Sequence, residues 1–420
     1  MVNKLSPISL IAFIFAILVY SKILPVKTYY IDNSIVPSTQ INYIEGTIIS
    51  NPKKISDKYY SCDINITHCM NKNFITSTCS GKIIGLIPTI LVESLFPNKL
   101  FSKSKSNNIL PIEQGAILKS SVKYIKNKKN NISFIFNNIE QIKYNNNNFI
   151  GKIQKFRAYC RLNFRKIIYN WGKAGGLFLA LLSGSTDNLE KDFINLFRNS
   201  GLSHILALSG MHLTLLSSLG LIIKNNVQQK KTAILFQSIL IFLFVWFAGL
   251  SPSLLRALIG FILTTLCFLF DIKIKNQINL LSSVFLIHSL ISISNLFNIG
   301  FILSYGALLG ILLFSPLINS YLIRFIPEKI SSSLASSISA VIFTSPISLH
   351  VFGFISLSGI ISTLFASALI TLFLYLGIFL FLLCLFIPCF DFFSNFSMNL
   401  IYKLIFEIVK IFDFLPQIYI

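Results

Sequence analysis

The chain has 420 residues, of which 54% are hydrophobic and only 12% charged, and its mean hydropathy is +0.71. Charged residues are about half as frequent as in soluble globular proteins, so an ordinary soluble globule is excluded. A net charge of +21 puts anionic partners first, lipid headgroups and nucleic acid among them.

The first apolar stretch, 8–24, has Lys4 ahead of it and Lys22 and Pro25 after it. It lacks the small-residue cleavage pattern of a secretory signal, so residues 1–24 are expected to be an uncleaved transmembrane anchor. Residues 25–170 are rich in Asn and Lys and poor in long apolar runs. Between Lys27 and Lys166 there are 21 Lys/Arg against 7 Asp/Glu, which is +14 of the total charge. This is a soluble domain or large loop, assigned to 25–155, with loop tips expected at Lys126–Asn131 and Asn145–Asn148. Cys62, Cys69, Cys79 and Cys160 fall in or just beyond it, whereas Cys267, Cys384 and Cys389 fall in apolar spans as core residues. The Cys62–His68–Cys69–Cys79 spacing matches no common zinc pattern, so a disulfide is favoured over a metal site, with the pairing open. Residues 156–198, basic and then apolar through Gly175–Leu179, read as an amphipathic connector along the membrane surface.

Apolar spans recur from there on, near 203–223, 232–250, 252–270, 279–293, 299–319 and 334–350, and the run 354–388 is expected to hold two helices. With the anchor this makes roughly 8–9 transmembrane helices, the channel-like part covering 199–390 and an amphipathic tail 391–420. The first of these spans carries His204, Ser209 and His212, which a continuous helix gathers into one sector. His212 falls about 80° from His204, with Ser209 about 60° beyond it, and Gly210 thins the wall beside them. Polar side chains at bilayer depth are costly and usually face a bundle interior or wet cavity. Short loops holding Lys224, Lys230 and Lys231, then Lys273 and Lys275, then Arg324 and Lys329 fall on one side when the spans alternate. Positive loops face the cytoplasm, which places residues 25–198 outside it and the N-terminus inside.

Four stretches in order resemble the ComEC family of competence proteins, in the form without a C-terminal metallo-β-lactamase-like domain. They are Gly201–Leu216, Ala248–Ala257, Asn298–Tyr305, and Thr344–Pro346 followed by Val351–Gly353. Ahead of them, Glu45–Ile48 through Pro52 resembles the first strand of the family's outer OB-like domain. Two departures stand out: the family's Gln is Ile302, and its Asp-Pro is Ser294-Asn295. The five histidines, His68, His204, His212, His288 and His350, form no His-x-His-x-Asp-His cluster of the nuclease domain. The resemblance implies a polytopic α-helical inner-membrane protein with an extracytoplasmic β-rich OB-like domain, acting as a channel for incoming single-stranded DNA. It also implies an outer DNA receptor, a competence ATPase and single-strand-binding proteins as partners. A homodimer stays open.

On that reading His204, Ser209, Gly210, His212, Arg256 and Ser304 are the channel residues, Arg256 being the phosphate contact because its fork is permanently charged. Weak contacts from His and Ser suit a path that must release its cargo. Structural roles stand beside these: His288 reads best as a helix–helix hydrogen bond, Arg256 can snorkel to the interface, and Ser304 can be packing. Tyr59, Tyr60 and Phe74 are candidates to stack bases on the outer domain. No P-loop occurs, so a separate motor must move the strand, and no cofactor or metal is expected. An enzyme is not expected. A Ser209–His212 hydrolase would need an orienting acid, and no acid from 171 onward lies in an apolar span. A transporter of another anionic solute, or a decayed competence remnant, are the alternatives.

Overall fold

A computed structural model describes residues 6–21, 23, 29–93, 111–126, 132–224, 230–274, 276–387, 390–414 and 417–419. Lys4, Lys22, Pro25, Lys275 and Cys389 of the sequence reading lie outside these residues, as does 127–131 of the Lys126–Asn131 tract. The chain forms two compact units. One is Lys27–Tyr169 with Ser185–Asp187; the other is Met1–Val26, Asn170–Gly184 and Asn188–Ile420.

The helical unit begins with α1 (Pro7–Tyr20), started by Ser6, whose side chain accepts from Ser9 N, and by Pro7 at the first turn. The chain then enters the strand unit through β1 (Tyr30–Asp32), β2 (Ile41–Ile48), β3 (Lys53–Lys54), β4 (Tyr59–Asn71) and β5 (Thr76–Pro88). After the short α2 (Thr89–Glu93) come β6 (Ala116–Lys126), β7 (Ile132–Tyr144) and α3 (Phe149–Tyr169). The strands run β1-β5-β7-β6-β2-β4-β3, and β4 also pairs with β5. That extra pairing closes β2, β4, β5, β7 and β6 into a five-stranded ring, antiparallel at every seam except β5–β7. Closure removes open edges from those five strands. Alternate residues point inward, so Ile44, Ile48, Ile64, Ile66, Ile83, Ile87, Phe134 and Phe136 fill the interior.

This alternation sorts the sequence candidates of the strand unit. Tyr60 is buried in the ring and cannot stack a base, a correction to the sequence reading; Tyr59 is half-exposed, and Phe74 stands 80% exposed in the β4–β5 turn. His68 points outward while Cys62, Cys69 and Cys79 point in, so the four do not share a face. Among the described residues no His, Cys, Asp or Glu group is placed to hold a metal. The thiols of Cys62, Cys69, Cys79 and Cys160 are free. Burial pushes the Cys79 thiol up to about 12, helped by Cys69 beside it. Burial also raises Cys62 and Cys160.

Helix α3 carries six Lys/Arg and no acidic residue, yet it turns three arginines toward the strands rather than to solvent. Arg161 Nε lies 2.8 Å from Glu113 Oε2, Arg165 Nη2 lies 3.9 Å from Oε1, and Arg157 Nη1 donates to Gln114 Oε1 at 2.7 Å. Glu113 and Arg161 are each 2% exposed. Desolvation, and then the neighbouring Arg161, lowers Arg157 to about 10. The 156–198 stretch is therefore not one connector: most of α3 belongs with the strands and the remainder with the helices.

The rest of the helical unit comprises α4 (Gly172–Ser183), α5 (Lys191–Asn199), α6 (Ser203–Leu206), α7 (Gly210–Lys224), α8 (Lys230–Ala248), α9 (Pro252–Leu269), α10 (Gln277–Ile291), α11 (Ile299–Leu322), α12 (Glu328–Phe352), α13 (Ser358–Phe386) and α14 (Asp391–Asp413). A two-stranded pair, β8 (Phe354–Ser356) with β9 (Gln417–Tyr419), closes its C-terminal part. Helices α9, α11, α12 and α13 are long and apolar enough to cross a membrane, and α1, α4, α8 and α10 are shorter apolar helices. Length and composition are those of a multi-span helical membrane protein. The run 354–388 holds one 29-residue helix and not two. At 1.5 Å per residue it is about 43 Å long, more than the hydrocarbon core but accommodated by tilt or by emerging ends. Helix α14 buries Ser394, Met398, Ile401, Tyr402, Ile405 and Val409 along one stripe, so residues 391–413 are a packed amphipathic helix.

Candidate functional site

The span expected as one helix from 203 is broken. After the four residues of α6 the backbone leaves helical geometry at Ala207–Ser209, and α7 starts afresh at Gly210. The one-sector stripe of His204, Ser209 and His212 therefore does not exist. His204 is exposed on α6, its Nδ1 3.1 Å from the Gly201 carbonyl. Ser209 and His212 instead build the start of α7. His212 Nδ1 accepts from the Ser209 backbone N–H at 3.2 Å, with Ser209 Oγ at 3.4 Å. A third-position side chain reaching back to the N–H ahead of the helix is the return half of a capping box. Because Nδ1 accepts, Nε2 carries the hydrogen; the ring is 2% exposed and lies parallel to Phe244.

Two other motif stretches are also helix starts. Gly249, at φ +95°, ends α8 in a conformation that favours glycine. Ser251 then caps α9, accepting from Leu254 N at 3.3 Å, with Pro252 in the first turn. Asn298 caps α11, accepting from Gly300 N at 2.8 Å. The fourth stretch differs: Pro346 lies inside α12, and Gly353 (φ +79°) ends that helix.

The three starts converge. Ser251 Oγ reaches the Leu208 carbonyl at 3.5 Å, and Ser253 Oγ reaches the Gly300 carbonyl at 3.4 Å. Gly210 is flanked by Arg256: a Cβ at Gly210 would lie 3.6 Å from Arg256 Nη2 and 3.5 Å from Ala257 Cβ. Arg256 Nη1 donates to the Ser304 carbonyl at 2.6 Å, and its guanidinium lies over the Tyr305 ring, 5.9 Å from the centroid. Thus Ser209, Gly210, His212, Arg256 and Ser304 are brought together, Ser304 contributing its backbone oxygen, while His204 is not part of the group. The Tyr305 hydroxyl lies 3.2 Å from His288 Nδ1, and Asn295 Nδ2 lies 3.3 Å from His288 Nε2.

Electrostatically, each helix start carries roughly half a positive charge from unpaired N–H groups. Three of them beside a guanidinium make a pole that attracts anions, with serine hydroxyls as further exchangeable donors. The Gln position of the family resemblance, Ile302, packs with Phe301 and Leu296 against Val19 of α1, so that departure supplies apolar packing. Sequence reasoning missed Ser251, Asn298 and Tyr305. The Gly-x-Ser-Pro and Asn-x-Gly patterns of helix starts signal the first two; Tyr305 carries no local signal.

A family model described as Competence protein matches residues 181–420, which contain all three converging starts. No curated protein and no solved structure is matched.

Proposed function

Because the chain belongs to the Competence protein family, with a role in DNA uptake, we propose that it forms or helps to form an inner-membrane path for incoming single-stranded DNA. The observation that carries this reading is the meeting of the α7, α9 and α11 starts around Arg256. A strand with one charge per nucleotide needs positive, replaceable contacts in a lipid-excluding bundle. A guanidinium fork with helix-start N–H groups meets that need without metal or nucleotide chemistry. In this arrangement Ser209, Gly210 and Arg256 face the strand, the Ser304 carbonyl holds the Arg256 fork, and His212 sets the α7 start behind them.

The closed ring of β2, β4, β5, β7 and β6, with its single parallel seam, supports an OB-like outer domain in 25–155. Exposed Lys53, Lys58, Lys72, Lys123, Lys143 and Lys152, with Phe74, give that domain a sequence-tolerant surface for a polyanion. The positive short loops support an extracytoplasmic position for it. A motor and strand-binding proteins of the uptake system would supply the force.

A hydrolase based on Ser209 and His212 is disfavoured by geometry. The ring nitrogen nearest the hydroxyl already accepts from Ser209's own N–H, so it is not available to take the hydroxyl proton.

The test is entry of fluorescent DNA into the cytoplasm of cells lacking the gene, complemented with the wild-type chain or with Arg256→Ala, scored beside DNA bound outside. Deletion and Arg256→Ala are each expected to lower entry at least tenfold with outside binding retained. Normal entry in the deletion strain overturns the DNA reading and moves other anionic solutes forward. Normal entry with Arg256→Ala alone overturns the site.

A further inference from the structure

Arg256 is a long, flexible side chain, and a phosphate contact is only as good as the orientation in which it is held. The neighbouring helices supply that hold through residues to which the uptake reading assigns no contact with DNA. Tyr305, nearly two turns into α11, lies under the guanidinium, 5.9 Å from ring centroid to Arg256 Cζ. Its hydroxyl is tied to His288 of α10 at 3.2 Å, and His288 is tied to Asn295, in the turn joining α10 to α11, at 3.3 Å. An amide nitrogen only donates, so Asn295 Nδ2 makes His288 Nε2 the acceptor. His288 Nδ1 then carries the hydrogen and donates it to the Tyr305 oxygen. The imidazole has little freedom: His288 is fully buried, with Phe301 edge-on at 4.8 Å. Asn295 fixes the imidazole tautomer, the imidazole fixes the phenol, and the phenol ring with the Ser304 carbonyl fixes the fork beside Gly210.

Resting on the uptake reading, we propose that Asn295, His288 and Tyr305 are positioning residues that hold the Arg256 guanidinium toward the α7 start for passage of the phosphate backbone. Their role is in the rate of transit, not in capture of DNA outside the membrane. The Asn295 amide stands within the stretch that departs from the family's Asp-Pro, and its bond to His288 gives that departure a physical role.

The experiment measures cytoplasmic entry against DNA concentration for the full-length chain in the complemented deletion strain, with membrane amount measured in parallel. Tyr305→Phe keeps the ring and removes the bond to His288. His288→Leu removes the middle member, and His288→Gln restores a side chain that can both donate and accept. Expected are a three- to tenfold fall in maximal entry rate for Tyr305→Phe and His288→Leu, from about one lost hydrogen bond in orientation, and recovery of at least half the wild-type rate with His288→Gln. The half-saturating DNA concentration and the membrane amount stay unchanged. Asn295→Ala, in the turn, gives the same rate effect in smaller measure and serves where a helix variant accumulates poorly. Wild-type rates in Tyr305→Phe and Asn295→Ala, with Arg256→Ala inactive, overturn the positioning role and leave the uptake reading standing. A fall in rate that only follows a fall in membrane amount, without rescue by His288→Gln, assigns these residues to helix packing and likewise overturns it. Wild-type entry with Arg256→Ala overturns the uptake site itself.

Discussion

At the scale of single residues, His212 separates holding a helix start from touching a cargo. Its Nδ1 does what a Gln side chain at the same helix position does in a capping box, accept one backbone N–H. His212→Gln is therefore expected to keep the thermal midpoint of the detergent-purified protein and to keep DNA entry within about threefold of wild type, a change of under about 0.7 kcal/mol. His212→Ala leaves the Ser209 N–H without its acceptor and opens a gap against Phe244; it should cost about 1–2 kcal/mol of stability. Melting curves and the uptake assay on the same two variants decide the matter. A Gln variant that melts normally but no longer admits DNA would place the imidazole itself in the path.

At the scale of elements, the recurrent device is the helix boundary. The Ala207–Ser209 break, the Gly249–Pro252 turn and the Asn298 cap each convert apolar chain into a helix start, and their meeting makes the site. The hydropathy profile located most of the helices because apolar length is a local property. It missed the break because Ala207 and Leu208 are as apolar as their neighbours, and only side-chain bonding shows the backbone turning there. Strand phase was hidden for a similar reason: Tyr59 and Tyr60 differ by one step of a two-residue period, and the pairing of β4 with β2 and β5 decides which of them faces inward. Helices α11 and α12 approach closely at a pair of glycines that the sequence analysis did not single out. Gly306 and Gly310 lie one turn apart, and a Cβ at Gly310 would meet the Ser339 carbonyl at 2.7 Å and Phe343 Cβ at 2.6 Å. At Gly306 the nearest atom would be 3.4 Å away, an ordinary contact. Gly310→Ala should therefore lower stability by about 1–3 kcal/mol through overpacking. Gly306→Ala should cost less than about 1 kcal/mol, because a single methyl is accommodated there. Equal melting points for the two variants would contradict this close approach of the helices.

At the scale of the whole molecule, charge and hydropathy are divided between the two units. The helical unit answers to lipid; the strand unit carries most of the excess of lysine and arginine. Part of that charge is spent internally, in Arg161 and Arg165 on Glu113, Lys82 on Asp63 and Lys119 on Glu45. The six exposed lysines from Lys53 to Lys152 are scattered over strands, loops and the first turn of α3, a pattern suited to a backbone charge and not to base recognition. Binding of single-stranded DNA by the full chain in nanodiscs of uncharged lipid should then fall as salt rises, whatever the base sequence. Each phosphate engaged contributes a log–log slope of about −0.7, so three contacts predict a loss of about tenfold or more between 50 and 200 mM salt. Uncharged lipid matters because anionic headgroups would compete for the same lysines and flatten the curve. A peptide nucleic acid of the same sequence, which keeps the bases and lacks the phosphates, should bind at least tenfold more weakly at low salt. Equal binding of that analogue would shift recognition from the phosphates to base stacking on Phe74 and Tyr59, whereas salt-independent binding of DNA would remove the charge of the strand unit from the account of uptake.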